Sequence, residues 1–124
     1  MLPSEFKPKY MSVEEHGDAV VATLNISHIT DEENIEQLGF ELFALVDQFG
    51  SKKVVISMSV VEYLTSSVLG KLITLHRKLG RNDGKLILCN ISDAIDEILT
   101  TSNLIDYFKV SETTDSSLAV LQGN

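Results

Sequence analysis

Two short runs of consecutive apolar residues constrain this fold more than any other feature. Val54-Val55-Ile56 follows Lys52-Lys53, and Leu86-Ile87-Leu88-Cys89 follows Gly84-Lys85. A strand with one wet face alternates apolar and polar residues. A strand that is apolar at successive positions is covered on both faces. Such strands need helices above and below them, which is α/β architecture.

Helical patterns lie between these runs. Thr30-Asp31-Glu32-Glu33 predicts a helix start, with Thr30 as cap and the acids at the positive end of the dipole. Ile35, Leu38, Leu42, Leu45, Val46 and Phe49 then recur at helical spacing, and Gly50 ends the pattern. Ser66-Ser67 opens a second helix, with Val68-Leu69, Leu72-Ile73, His76 and Leu79 on one face and Gly80 as terminator. Ser92 caps a short third helix through Ile95, Ile98 and Leu99. Thr114-Asp115-Ser116 starts a fourth, carrying Leu118 and Leu121.

Further strands are expected at Lys9 to Glu14, Ala19 to Ile26, Lys53 to Met58 and Tyr107 to Val110. Gly17 supplies the turn between the first two, and Asn82-Asp83-Gly84 a later turn. The expected order is β-β-α-β-α-β-α-β-α. This is a single α/β domain with a mainly parallel mixed sheet, an N-terminal hairpin and helical cover. Residues 1–8 read as a loose lead-in and 9–124 as the domain, and 124 residues suit one core.

Composition restricts function mostly by exclusion. Ten Lys+Arg against eighteen Asp+Glu give a net charge of −8. A globally negative chain repels nucleic-acid phosphates and anionic headgroups, so neither nucleic acid nor a membrane is expected as partner. The one cysteine, Cys89, allows no intramolecular disulfide and reads as a small core residue. The chain carries no secretory signal and no apolar run long enough to span a bilayer, so the cytoplasm is the expected compartment.

The seven glycines never approach the spacing of a phosphate-binding loop, and no Gly-x-Ser-x-Gly elbow exists. His16, His28 and His76 lack metal-ligand spacing, and His76 reads as a packed or rim residue. A receiver domain has this size and alternation. It requires a phospho-accepting Asp after its third strand, and Glu62-Tyr63-Leu64-Thr65-Ser66-Ser67 offers none. No metal or other cofactor is expected.

What remains is Thr65-Ser66-Ser67, three hydroxyls where a buried strand hands over to a helix. Carboxyl ends of strands are where ligands and functional loops gather in open α/β sheets. The plainer reading is that at least one of Thr65 and Ser67 caps the helix. Tyr63 and Lys71 flank the group, either as a partner surface or as ordinary solvated positions. Arg77, Lys78 and Arg81 read as a solvated helix end.

The stretch from Lys53 to Gly70 resembles the STAS-domain family of anti-sigma factor antagonists, which carry a buried strand and then a "hydrophobic-Asp-Ser-Ser-Gly-Leu-Gly" segment opening a helix. Asn25-Ile26-Ser27-His28-Ile29-Thr30 occupies the place of a short Gly- and Asp-containing turn. Arg77 with Gly84-Lys85-Leu86, and Ile95 to Leu99 followed by Leu104-Ile105-Asp106-Tyr107-Phe108, match later family features in order. The resemblance spans roughly Tyr10 to Leu121. The chain departs from the pattern at Ser57, Thr65 and Val68, where the family usually has Asp, Asp and Gly.

The resemblance implies a STAS-like fold and a non-enzymatic switch. Such a protein binds an anti-sigma factor, often a serine kinase of the histidine-kinase-like ATPase type, and so frees the sigma factor. Phosphorylation of the first serine of the pair breaks the complex, and a serine phosphatase resets it. Carried over by position, the acceptor is Ser66, with Thr65 and Ser67 as alternatives. The implied partner surface is His28, Thr30, Tyr63, Thr65, Ser66, Ser67 and Lys71. Two other readings stay open: a scaffold subunit of a larger signalling assembly that works without phosphorylation, and a small hydrolase using Ser66 as nucleophile. The hydrolase reading lacks a base nearby in sequence.

Overall fold

A computed structural model of the chain describes residues 6–122. The elements run β1 (Met11–His16), β2 (Ala19–Leu24), β3 (His28–Ile29), α1 (Glu32–Asp47), β4 (Lys53–Ser57), β5 (Tyr63–Leu64), α2 (Ser66–Arg81), β6 (Lys85–Cys89), α3 (Asp93–Thr101), β7 (Lys109–Ser111) and α4 (Thr114–Gln122). Five strands form the main sheet in the order β1-β2-β4-β6-β7. The β1–β2 hairpin is antiparallel and every other pair in that sheet is parallel. This is the α/β architecture expected from the two apolar runs, which become the central strands β4 and β6.

Alternation along the strands divides the core. Val20, Ala22, Leu24, Val54, Ile56, Leu86 and Leu88 face a large cluster with the apolar stripes of α1, α2 and α3. Val21, Val55, Ile87 and Cys89 face the opposite way, onto Leu121 of α4. Cys89 is fully buried, as a small apolar residue would be.

Several local expectations hold for the stated reasons. Gly17 and Gly50 adopt left-handed φ of 64° and 65°, at the hairpin turn and just past α1. Ser92 Oγ accepts from Ile95 N at 3.2 Å and caps α3. Gly84 is required by close approach: a Cβ there would lie 2.5 Å from the Lys52 carbonyl oxygen.

Other expectations need correction. Asp31, not Thr30, caps α1: its Oδ1 accepts from Glu33 N at 2.9 Å. Asp31 directly precedes the helix and its carboxylate reaches the N–H two residues on, whereas Thr30 stands one residue too early. Gly80 does not end α2, which runs through Arg81 and stops where Asp83 turns left-handed at φ 59°. The second strand stops at Leu24 rather than Ile26, because the chain leaves the sheet to form β3. The segment Val60–Leu64 contains β5, which pairs with β3 in a separate two-stranded parallel sheet. The last strand lies at Lys109–Ser111, slightly later than expected. α4 does begin at Thr114 as expected, and the hydroxyls of Thr113 and Ser116 order that start: Ser116 N donates to Thr113 Oγ1 and Thr113 N to Ser116 Oγ, both at 3.0 Å.

One buried carboxylate ties the segment just before β1 to the body. Glu41, on α1 and only 1% exposed, accepts from Lys9 N at 2.8 Å, Tyr10 N at 3.0 Å and Gln37 Nε2 at 2.8 Å. Three donors replace the water the carboxylate loses. Phe6 packs edge-on against Phe49, with ring centroids 4.8 Å apart. Residues 1–5 of the lead-in and the last two of the chain fall outside the described residues.

Candidate functional site

The Thr65-Ser66-Ser67 group sits at the carboxyl end of the parallel sheet, where β4 gives way through Met58–Glu62 to β5 and α2. Ser66 and Ser67 are exposed and occupy the first two positions of α2. Thr65 stands at the cap position with an extended backbone, φ −97° and ψ 171°. Its carbonyl accepts from Val68 N at 3.1 Å and Leu69 N at 3.2 Å, which closes the first turn.

The hydroxyl of Thr65 does not cap the helix. Thr65 Oγ1 is buried and has no hydrogen-bond partner among the described residues, and no side chain among them makes a cap bond at α2. The expectation that Thr65 or Ser67 caps this helix is therefore corrected. The leading N–H groups of a helix have no intrahelical acceptor, and here no side chain among the described residues takes that place. No acid lies in the first turn, while Lys78 and Arg81 lie in the last. The positive end of the α2 dipole thus meets solvent uncompensated beside Ser66.

The small β3–β5 sheet assembles part of the expected partner surface. His28 pairs in register with Tyr63, and Ile29 with Leu64. Ser27 O accepts from Glu62 N at 2.7 Å and Tyr63 N at 3.0 Å, pinning the two loops together. His28 and Tyr63 are therefore neighbours, and Tyr63 lies three residues before Ser66. Thr30 follows β3 directly and is exposed. Tyr63 is 46% exposed and Val60 43%. Val60, which sequence reasoning passed over, adds apolar area to the same strand-to-helix passage.

Lys71 is placed differently. Five residues along a helix turn it about 140° from Ser66. Its Nζ lies 3.0 Å from Glu36 Oε2 on α1, and its aliphatic stem crosses Gly39, where a Cβ would lie 2.8 Å from Lys71 Cδ. Lys78 Nζ makes a parallel bond to Asp47 Oδ2 at 2.8 Å. Lys71 and Lys78 thus join α1 to α2, with Phe43 beside both ammonium groups. Lys71 holds the site-bearing helix in place; it is not grouped with Ser66.

Beneath the site a polar network joins the strand ends. Ser57, buried at the end of β4, accepts from Asn90 Nδ2 at 2.9 Å, and Asn90 Nδ2 also donates to Thr114 Oγ1 at 3.1 Å. Asn90 is left-handed, φ 56°, a conformation its short amide tolerates. A neutral Ser57 suits this neutral network.

The chemistry available is limited. Ser66 Oγ makes no hydrogen bond among the described residues, so no side chain there is bonded to it as a base. Ser27 Oγ and His28 Nδ1 share a serine–histidine hydrogen bond at 3.2 Å, on exposed side chains. No group of three His, Cys, Asp or Glu capable of holding a metal occurs among the described residues. No helix among them is long and apolar enough to cross a membrane. An exposed hydroxyl at a free helix N-terminus can accept a modification and carry it in plain view of a partner.

Comparisons with known proteins bear on this geometry. The STAS-domain family model matches residues 10–117. A protein of Bordetella bronchiseptica, BtrV, with an inferred role as anti-sigma factor antagonist, is 27% identical over 94 residues, covering 76% of this chain and 80% of its own. Among solved structures, a Thermotoga maritima protein with the same inferred role superposes with a TM-score of 0.80 at 19% identity, covering 90% of this chain and 94% of its own. The anti-sigma factor antagonist SpoIIAA in its unphosphorylated form superposes with a TM-score of 0.78 at 19% identity, covering 92% and 97%.

Proposed function

The chain belongs to the STAS-domain family, and from that premise we propose that it is an anti-sigma factor antagonist switched by phosphorylation of Ser66. It binds an anti-sigma factor of the serine-kinase, histidine-kinase-like ATPase type in the cytoplasm and so releases a sigma factor. The kinase transfers the γ-phosphoryl group of ATP to Ser66 Oγ. ADP leaves, the hydroxyl proton is lost, and the complex separates. A serine phosphatase then restores the hydroxyl. The protein acts by binding and catalyses nothing itself.

The observation that carries this reading is the state of Ser66: exposed, at the first turn of a helix, and among the described residues neither hydrogen-bonded by its side chain nor beside a capping side chain. A phosphoserine adds about −1.5 to −2 charge at neutral pH. At this place free N–H groups and the helix dipole favour an anion, so the fold tolerates the group. In an interface the same dianion must shed water and meets the partner's acidic groups repulsively. Exposed Tyr63 and Val60, with His28 beside Tyr63, supply the apolar and aromatic area that docking needs.

The absence of an acid at Thr65 favours, as a second reading, a scaffold subunit that works without phosphorylation, since a kinase that reads that acid finds none. The test is partner capture from the native cell followed by binding measurements on variants. Ser66→Ala should retain the partner, and Ser66→Asp should weaken binding by on the order of tenfold or more, about 1.4 kcal/mol per tenfold. Equal binding by both variants would remove the switch and leave the scaffold.

A further inference from the structure

The far end of the sheet carries an unassigned cavity. It is about 420 Å³ in volume and is lined by His76, Gly84, Lys85, Leu86, Ile87, Lys109 and Val120. It exists because β7 is short. Pairing of β6 with β7 begins at Ile87 and Lys109, so the chain at Lys85 and Leu86 has no strand beside it on that edge. Leu86 and Ile87 border it along the unpaired edge of β6 but turn to opposite faces and are almost wholly buried, so its accessible apolar surface comes from Val120 of α4, 37% exposed, and from the aliphatic stems of the lysines. His76, its ring edge-on to Tyr107 at 4.9 Å and Phe108 at 5.9 Å, closes the α2 side.

The charges around this apolar space are of one sign. Lys85, Ile87 and Lys109 project from the same sheet face, by the alternation on β6 and the Ile87–Lys109 register. Lys85 and Lys109 are exposed and form no ion pair among the described residues, in a chain whose net charge is −8. The two neighbouring clefts differ. Both include Asp83, one also holds Asp18, and Asp18 already pairs with Lys53 at 2.9 Å. Of these three, this cavity alone joins a mainly apolar lining to lysines with no acid among its lining residues.

We infer that this cavity binds a free amphiphilic monocarboxylate, a medium-chain fatty acid or similar molecule, with its tail along the unpaired β6 edge against Val120 and the lysine stems and its carboxylate between Lys85 and Lys109. The volume lies within the range of small-molecule sites, about 300–1,000 Å³, and an eight-carbon chain fits within it. His76 lies ten residues beyond Ser66 on α2, about 15 Å along the axis, so the two sites are separate.

The test is titration of the full chain with octanoate, followed by amide chemical shifts, with octanol and octylammonium as controls. Saturable shifts at His76, Gly84 to Ile87 and Lys109 are expected, with a dissociation constant on the order of 0.1–1 mM for so small a ligand. The double variant Lys85→Glu/Lys109→Glu, at two exposed positions that leave the core intact, should weaken octanoate at least about tenfold and leave octanol unchanged. Octylammonium should not bind the native chain. No saturable shift at these amides, octanol binding as tightly as octanoate, or octanoate binding unchanged in the double variant would each overturn the assignment.

Discussion

Replacing Ser66 with aspartate separates a switch that acts at an interface from one that acts by loosening the fold. Among the described residues the Ser66 side chain makes no hydrogen bond that the change would break, and it is exposed. An acid in the first turn of a helix gains about 0.3–1 kcal/mol from the dipole at low ionic strength. Opposing it is the general repulsion of a chain at −8, of which the nearest charge in sequence is Glu62. The net effect of Ser66→Asp should be between zero and about 1 kcal/mol of added stability, or up to about 4 °C in Tm for a domain of this size. Ser66→Lys should shift stability in the opposite direction. Urea denaturation and thermal melts read both. The difference between the variants should shrink as salt rises toward about 1 M, where the screening length falls to about 3 Å. A loss of more than about 1 kcal/mol in Ser66→Asp would refute the reasoning, because an anion at this place would then disrupt the domain itself.

Three other outcomes follow from single side chains. Glu41→Leu strands the N–H groups of Lys9 and Tyr10 and should lose about 2–4 kcal/mol in urea denaturation, with Glu41→Gln falling between it and the native chain. Thr65→Val removes a buried hydroxyl that bonds to nothing, so stability should hold or rise by up to about 1 kcal/mol; a loss of that size would show that the hydroxyl caps α2 after all. The hydrogen bond from Lys53 holds the Asp18 carboxyl below its usual pKa. Its contribution is therefore complete above the ordinary aspartate pKa and is lost as pH falls through the lowered value, so stability curves of native chain and Asp18→Asn should converge in acid.

The architecture was legible because it rests on periodicity. Continuous apolar runs at Val54–Ile56 and Leu86–Cys89 could be satisfied only by cover on both faces. The helical stripe from Ile35 to Phe49 left one orientation for α1. Local punctuation was less legible. Thr30 and Asp31 are both good caps, and the choice between them depends on where the chain leaves β3, a strand of two residues whose pattern is too short to read. β5 is equally short, and it is the β3–β5 pairing that brings His28 beside Tyr63. Gly80 looked like a terminator because it precedes a polar turn, yet the apolar anchor at Leu79 and the left-handed Asp83 carry the helix one residue past it. At the site, sequence located Ser66 on its helix. It gave no sign that Thr65 would leave the helix uncapped, or that Lys71 would spend its charge on Glu36, since both depend on distances between elements far apart in the chain.

The central claim is tested most directly by finding where phosphate goes. The native chain and Ser66→Ala are each incubated with the captured kinase-type partner and ATP, and modified residues are mapped by mass spectrometry. One phosphate on Ser66, absent from Ser66→Ala and accompanied by release of the partner, is the predicted result. Phosphate confined to Thr65 or Ser67, or a stable complex in which Ser66 stays unmodified, would contradict it.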